Sequence, residues 1–211
     1  CKYISSYNRG FCSQVTIEHV LTMTTGLDRI VNGHSIGYQN DKSNYALRLE
    51  PSTEPGSKWA YSNEAVQLLE PLLSKVAGQP IEEYAQQRLF KPLEFKQTYL
   101  RTDGAGSAML YADMRTTLRE FAQLGHLVAT NGCHRGRQLI SPEWIKEMTT
   151  PKEKAWGVVP FGYLWYLPKE TVQATYGYLC NNLYILPQQE IVFGRCQRQH
   201  YLHQSEPFNE E

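Results

Sequence analysis

The chain has no long apolar run. Nowhere do its apolar residues extend over the roughly 20 positions that a membrane-spanning helix needs, and its first residues lack the charged-then-apolar pattern of a secretory leader. The expectation is a soluble chain, or the soluble part of one. An excess of either charge is missing too: 21 basic and 21 acidic residues cancel to a formal net charge of +0. No basic run carries interleaved aromatics of the kind that follows a phosphate backbone, so nucleic acid is excluded as a partner class. The cysteines Cys1, Cys12, Cys133, Cys180 and Cys196 include no C-x-x-C pair and no histidine-rich neighbourhood, which excludes a zinc site of the usual spacing. The glycine-rich stretch Gly104-Ala105-Gly106-Ser107-Ala108 lacks the lysine and spacing of a phosphate-binding loop. Neither a metal nor a cofactor is expected. Residue 1 is a cysteine rather than a methionine, as in the ordered part of something longer.

What is present is enough for a real core. A chain of 211 residues fits one large domain and buries roughly 70% of its unfolded surface. The stretch that organises it is Glu54-Pro55-Gly56-Ser57-Lys58-Trp59-Ala60-Tyr61-Ser62-Asn63. Pro55-Gly56 predicts a turn, Ser62 or Asn63 is a suitable N-cap, and the apolar residues that follow recur at helical spacing. Tyr61 is therefore expected at a loop-to-helix junction, where packing fixes the ring while the hydroxyl faces a cleft. A tyrosine so held can act as a general base or proton relay. Tyr61 is also one of 14 tyrosines, and a half-buried core residue is the alternative.

Ile17, Val20 and Leu21 predict a short helix with Gly26 as its glycine cap, His19 being a surface or packing residue within it. Residues 27–50 are polar and aperiodic, which reads as a long surface excursion and a candidate cleft wall. Ala65, Val66, Leu68, Leu69, Leu72, Leu73, Val76 and Ala77 mark one wide apolar face, closed by Gly78 and bent near Pro71. Pro80 opens a helix through Phe90. Gly104 to Ala108 predicts a tight loop or a strand passing close to another backbone. Asp113 is a candidate cap for a helix carrying Leu118, Phe121, Leu124, Leu127 and Val128, which ends near Asn131-Gly132. Ser141-Pro142-Glu143 opens another helix in the favoured order of cap, proline and acid.

The final third is aromatic and β-branched. Residues 161–167, 176–186 and 191–195 predict three antiparallel strands, the last two joined by a tight turn at Pro187-Gln188-Gln189. Helices first and a strand meander last is an α+β arrangement, with the helical part over about 14–155 and the strands over about 158–198 of one domain. Pairing Ile185 with Ile191 in the hairpin brings Cys180 opposite Cys196, close enough for a disulfide. A slip of one residue removes that pairing, and two reduced neighbours are the alternative.

Several stretches together resemble one family, the serine β-lactamase-like and penicillin-binding-protein-like hydrolases, which include class C β-lactamases, esterases and nylon-oligomer hydrolases. They are TIEHVLTMTTGLD from Thr16 and EPGSKWAYSNEAVQLLEPLLSKVAGQPIEEYAQQRLFKPLEF from Glu54, then GSAMLYADMRTTLREFAQLGHLVATNG, GRQLISPEWIKEMTTP and YGYLCNNLYILPQQEIVFGR. They follow the family's order and spacing over most of residues 14–196. The resemblance implies a β-lactamase/transpeptidase-like fold, a helical region followed by the antiparallel strands of the main sheet, incomplete at the N-terminus. It puts Tyr61 and Asn63 at the family's Y-x-N positions and Thr175-Tyr176-Gly177 at its substrate-binding K-T-G position.

The family's chemistry needs a serine at the start of a helix with a lysine one turn later to take its proton. No serine of this chain has lysine three residues on, and Thr149-x-x-Lys152 has the spacing in another place. The resemblance puts S-x-x-K upstream of residue 1. Only the glycine of K-T-G is kept, so no cation stands there to hold a substrate carboxylate. The missing N-terminal part would also supply a helix and the first strands, so another chain or an upstream segment is expected to cover the sheet edge. Two readings follow, and a small-molecule-binding pseudoenzyme that uses the old cleft lies between them. One is a non-catalytic structural or binding subunit of a larger assembly. The other is the C-terminal part of an active serine hydrolase of an ester, amide or β-lactam, with a small acyl substrate. Relatives are periplasmic, secreted or mitochondrial, and nothing in the chain chooses among these.

Overall fold

The computed structural model describes residues 4–27 and 36–196. Its helices are α1 (Ile17–Leu21), α2 (Lys42–Arg48), α3 (Asn63–Gln67), α4 (Leu69–Ala77), α5 (Ile81–Ala85, continued by a π-turn over Gln86–Phe90), α6 (Leu118–Ala129) and α7 (Pro142–Met148). Two small hairpins, β1 (Tyr99–Leu100) with β2 (Met114–Arg115) and β3 (Cys133–His134) with β4 (Arg137–Gln138), brace the loops around α6. The main sheet is an antiparallel meander of β5 (Glu153–Ala155), β6 (Val159–Phe161), β7 (Tyr166–Lys169), β8 (Val172–Tyr176), β9 (Asn182–Leu186) and β10 (Ile191–Arg195), in that spatial order. The α+β expectation is met, with helices before an antiparallel meander.

The caps explain most helix starts. Thr16 accepts from the His19 N–H while His19 Nδ1 accepts from the Thr16 N–H, a reciprocal capping pair that gives His19 a structural task. Ser141 caps α7 with Pro142 in its first turn, and Gly78 closes α4 in the left-handed region, as expected. Two expected caps move. The first helix ends at Leu21, and Gly26 instead allows a close approach, since a Cβ there would lie 2.2 Å from the Thr53 carbonyl oxygen. The cap of α6 is Thr117, because Asp113 is held at φ 66° beside β2 by ion pairs to Arg101 and Arg115. The long apolar helix breaks between α3 and α4 at Leu68. Pro71 has no N–H for the Gln67 carbonyl and its ring crowds that oxygen, which opens the turn before it.

The excursion after residue 27 contains α2, hidden because the residues it buries include Lys42 and Ser43. Ser43 donates to Glu70, and the buried Gln67 amide donates to Ser43 and to the Ala108 carbonyl while accepting from the Leu110 N–H. Hydrogen bonding thus compensates for burying these polar groups.

The expected strand over 161–167 is two strands, separated where Gly162 donates to the Trp165 carbonyl and Leu164 takes φ 60°. The expected strand over 176–186 likewise starts only at Asn182, after a turn in which Leu179 and Cys180 have positive φ. The turn at Pro187–Gln189 forms as expected, but Glu190 in the left-handed region lengthens the loop to Glu190, so Ile191 pairs with Leu186 and Val192 with Ile185. That is one residue away from the expected register. Continued past Arg195 and Asn182, it sets Cys196 opposite Asn181, and Cys180 and Cys196 are both free thiols. Cys1 lies outside the described residues.

Each face of the sheet has its own cover. Leu183, Ile185 and Val192 pack against Phe121 and Val128 of α6 and Ile145 of α7. Register puts Phe161, Tyr166, Ala174, Tyr184 and Phe193 in one row on the opposite face, where Met23, Trp59 and Val66 meet its middle.

Candidate functional site

The Tyr61 loop is built on the segment after α1. The turn at Pro55-Gly56 closes with Ser57 donating to the Glu54 carbonyl, and Gly56, at φ 85°, donates to the Thr24 carbonyl at 2.7 Å. Ala60 donates to the Met23 carbonyl at 2.8 Å. Ser62 is the N-cap of α3, buried and accepting from the Ala65 N–H at 3.1 Å, so Asn63 is the first helical residue and is half-buried. Tyr61 stands between these anchors with 37% of its surface exposed. The loop-to-helix junction expected for it is present.

Trp59 ties the loop to the sheet. Its indole meets the Trp156 ring edge-on at 5.3 Å and Phe161 at 5.7 Å, and its Nε1 is buried with no hydrogen-bond partner among the described residues. From there the aromatic row runs along the sheet: Trp156 stacks on Tyr166 at 5.1 Å, Tyr166 on Tyr176 at 4.6 Å, and Tyr184 follows at 5.9 Å.

Tyr166 is the centre. Burial, then the neighbouring Tyr61 and Tyr176 phenols, push its pKa up to about 12. Tyr61 and Tyr176, one from each motif expected to line the cleft, thus share an electrostatic neighbourhood around Tyr166. Burial also raises the Tyr176 phenol, with Tyr184 adding to the shift. Where charge is penalised this way, the hydroxyls favour their neutral, hydrogen-bonding form.

The three residues of the K-T-G position part company. Tyr176 ends β8 in the aromatic row, Gly177 is exposed at the start of the turn, and Thr175 points to the opposite face. There Thr175 lines an apolar cavity of about 230 Å³ with Leu127, Val128, Trp165 and Leu183. Tyr166 and Trp156 were not singled out in the sequence. Tyr166 lay inside an aromatic-rich run, and Trp156-Gly157 is an X-Gly pair between short strands, a turn signal that is weak when X is tryptophan.

A second polar cluster lies apart from this row. Tyr163 donates to Glu18 at 3.2 Å, and Lys152 pairs with Glu147 while lying 5.2 Å over the Tyr163 ring. These contacts tie α1 to α7 and occupy Lys152, the lysine with the right spacing in the wrong place. Among the described residues no group of three or more His, Cys, Asp or Glu side chains could hold a metal, and no helix is long and apolar enough to cross a membrane.

A family model described as Beta-lactamase matches residues 1–207. No curated protein matches. Solved structures do. A protein described as a 6-aminohexanoate-dimer hydrolase from Bacillus anthracis superposes with a TM-score of 0.80 at 18% identity, over 90% of this chain and 57% of that one. One described as a beta-lactamase from Bacteroides dorei gives 0.73 at 18% identity, over 93% and 69%. The octameric penicillin-binding protein homologue from Pyrococcus abyssi gives 0.71 at 18% identity, over 90% and 53%. At such identities the likeness is one of fold, and the chain spans between 53% and 69% of the length of these three structures.

Proposed function

This chain belongs to the beta-lactamase family, a family of serine hydrolases, and from that premise we propose that it acts as a non-catalytic binding or structural subunit whose Tyr61 cleft holds a neutral ligand. The observation that carries this reading is the fate of the K-T-G position. Tyr176 is committed to the ring of Tyr166 at 4.6 Å and Thr175 is turned to the other face. A tyrosine base needs a neighbouring cation to lower its proton affinity. At the neighbouring Tyr166, burial and then the Tyr61 and Tyr176 phenols raise the pKa. Such a surface suits hydrogen bonding and stacking better than proton abstraction.

The proposal includes a cover for the sheet, either another chain or an upstream segment. In its favour, β10 is the last strand of the sheet among the described residues and carries Ile191 and Phe193 at 50% and 56% exposure. An edge strand with exposed apolar side chains is a site of association.

The second reading, the C-terminal part of an active hydrolase of an ester, amide or β-lactam with serine and lysine upstream of residue 1, is favoured by Tyr61 itself. It stays partly exposed at a capped helix start and neighbours Tyr166, on which Tyr176 at the end of β8 stacks. Incubation with an activated fluorophosphonate and with a fluorescent penicillin, read by mass spectrometry, separates the two. No adduct is expected under conditions that label an active relative, and a stoichiometric serine adduct overturns the non-catalytic reading.

A further inference from the structure

Trp156 occupies a position that a tryptophan should avoid. It is the first central residue of the turn joining β5 to β6, where Val158 donates to the Ala155 carbonyl. Trp156 has φ 52° and Gly157 φ 76°, and positive φ at both central residues defines a type I′ turn. Such turns favour Asn or Asp before Gly, and a bulky side chain in the left-handed region is strained. Burial does not compensate, because 58% of the tryptophan is exposed.

The strained residue is nevertheless well held. Its ring lies 6° from parallel to Tyr166, and Trp59 meets it edge-on. Tyr166 is the residue around which Tyr61 and Tyr176 gather. The exposed part of the indole therefore stands beside Tyr166, the residue that Tyr61 also neighbours, and is steadied by two further rings. Backbone strain that persists with its side chain locked in place is characteristic of ligand clamps.

We infer that Trp156 is a recognition plate for a flat aromatic group of the ligand, which stacks on the exposed indole beside Tyr166. The inference rests on the reading of the Tyr61 cleft as a binding surface. A flat ring fits the surroundings, since the indole already stacks on the ring of Tyr166 and meets that of Trp59. Offset stacking between rings adds to the gain from apolar area alone.

The test uses 4-nitrobenzyl alcohol, which is flat, neutral and contains no bond that a serine hydrolase cleaves. Its dissociation constant and the ring-current shifts of its protons are measured by ligand-observed NMR on the full-length protein. Trp156→Leu keeps the strained backbone and an apolar side chain but removes the plate, whereas Trp156→Phe keeps a ring. The Leu variant is expected to bind about three- to tenfold more weakly and to lose the upfield shifts. The Phe variant is expected to stay within about twofold of the parent. Equal affinity in parent and Leu variant, or no saturable binding by the parent, overturns the inference. The probe forms no covalent bond, so this result is independent of fluorophosphonate labelling and the two readings fail separately.

Discussion

Replacing Tyr166 by phenylalanine should change how stability depends on alkaline pH while leaving the ring stack in place. The Tyr166 phenol is raised from about 10 to about 12 in the folded protein, by burial first and then by Tyr61 and Tyr176. A raised folded value means that the native state holds this proton more tightly than the unfolded chain does. Its stabilising contribution is therefore complete below pH 10 and is lost as pH rises towards 12. One unit is worth about 1.4 kcal/mol, so the full loss is about 3 kcal/mol, of which about half has occurred by pH 11. Other tyrosines also lose stability in this range, so the measurement is the difference between parent and variant. Urea unfolding at pH 9, 10 and 11 should give a parent curve that falls about 1 kcal/mol further than that of Tyr166→Phe between the first and last points. Titration of phenolate absorbance should show one late-ionising group fewer in the variant. Parallel stability curves would mean that Tyr166 is not the buried hub around which Tyr61 and Tyr176 meet, and the account of the site would fail with it.

Glu120 should be a stability residue with an acid signature. Burial pushes its carboxyl up, but the Thr98 hydroxyl and the Lys96 and Gln97 N–H groups hold it lower still, below the ordinary range. Because the folded value is depressed, its contribution is present above about pH 4.3 and is lost as the solution is acidified through the folded value. Glu120→Ala should cost about 3 kcal/mol in urea unfolding at pH 7, with Glu120→Gln recovering part of it, and no loss in either variant refutes the brace. Gly125→Ala should destabilise despite the better helix propensity of alanine, since its Cβ would lie 2.6 Å from Val192 Cγ1 and 3.2 Å from both Leu183 methyls. Overpacking of about 1–3 kcal/mol against a gain of about 1 kcal/mol predicts a lower melting temperature, and an unchanged or higher one would show that α6 can move off β9 and β10.

Helix starts were legible wherever a capping side chain and an apolar stripe agreed, as at Ser62 and Ser141. They were illegible where polar groups are buried. The helix Lys42–Arg48 meets the core through Ser43, Glu70 and Gln67, and no hydrophobic periodicity announces a hydrogen-bonded interface. The last hairpin was legible, but β5 and β8 were not expected as strands, and strand extent was not legible because the breaks at Gly162 and at residues 177–181 depend on individual positive φ values. The register of the last hairpin turned on Glu190 alone, and that one residue separated Cys180 from Cys196.

The sequence by itself determined the family, the order of helices before strands, and the loop-to-helix junction at Tyr61, because turn residues, caps and apolar spacing act over a few neighbouring positions. It also determined that serine and lysine do not occur here in the S-x-x-K pattern. Only the tertiary structure decided which rings meet around Tyr166, the neighbour of Tyr61. Trp59, Trp156, Tyr166 and Tyr176 come from separate turns and strands, and their meeting depends on the alternation of side chains across paired strands, which a register shift of one residue reverses. That meeting made an aromatic row of residues that lie far apart in the sequence.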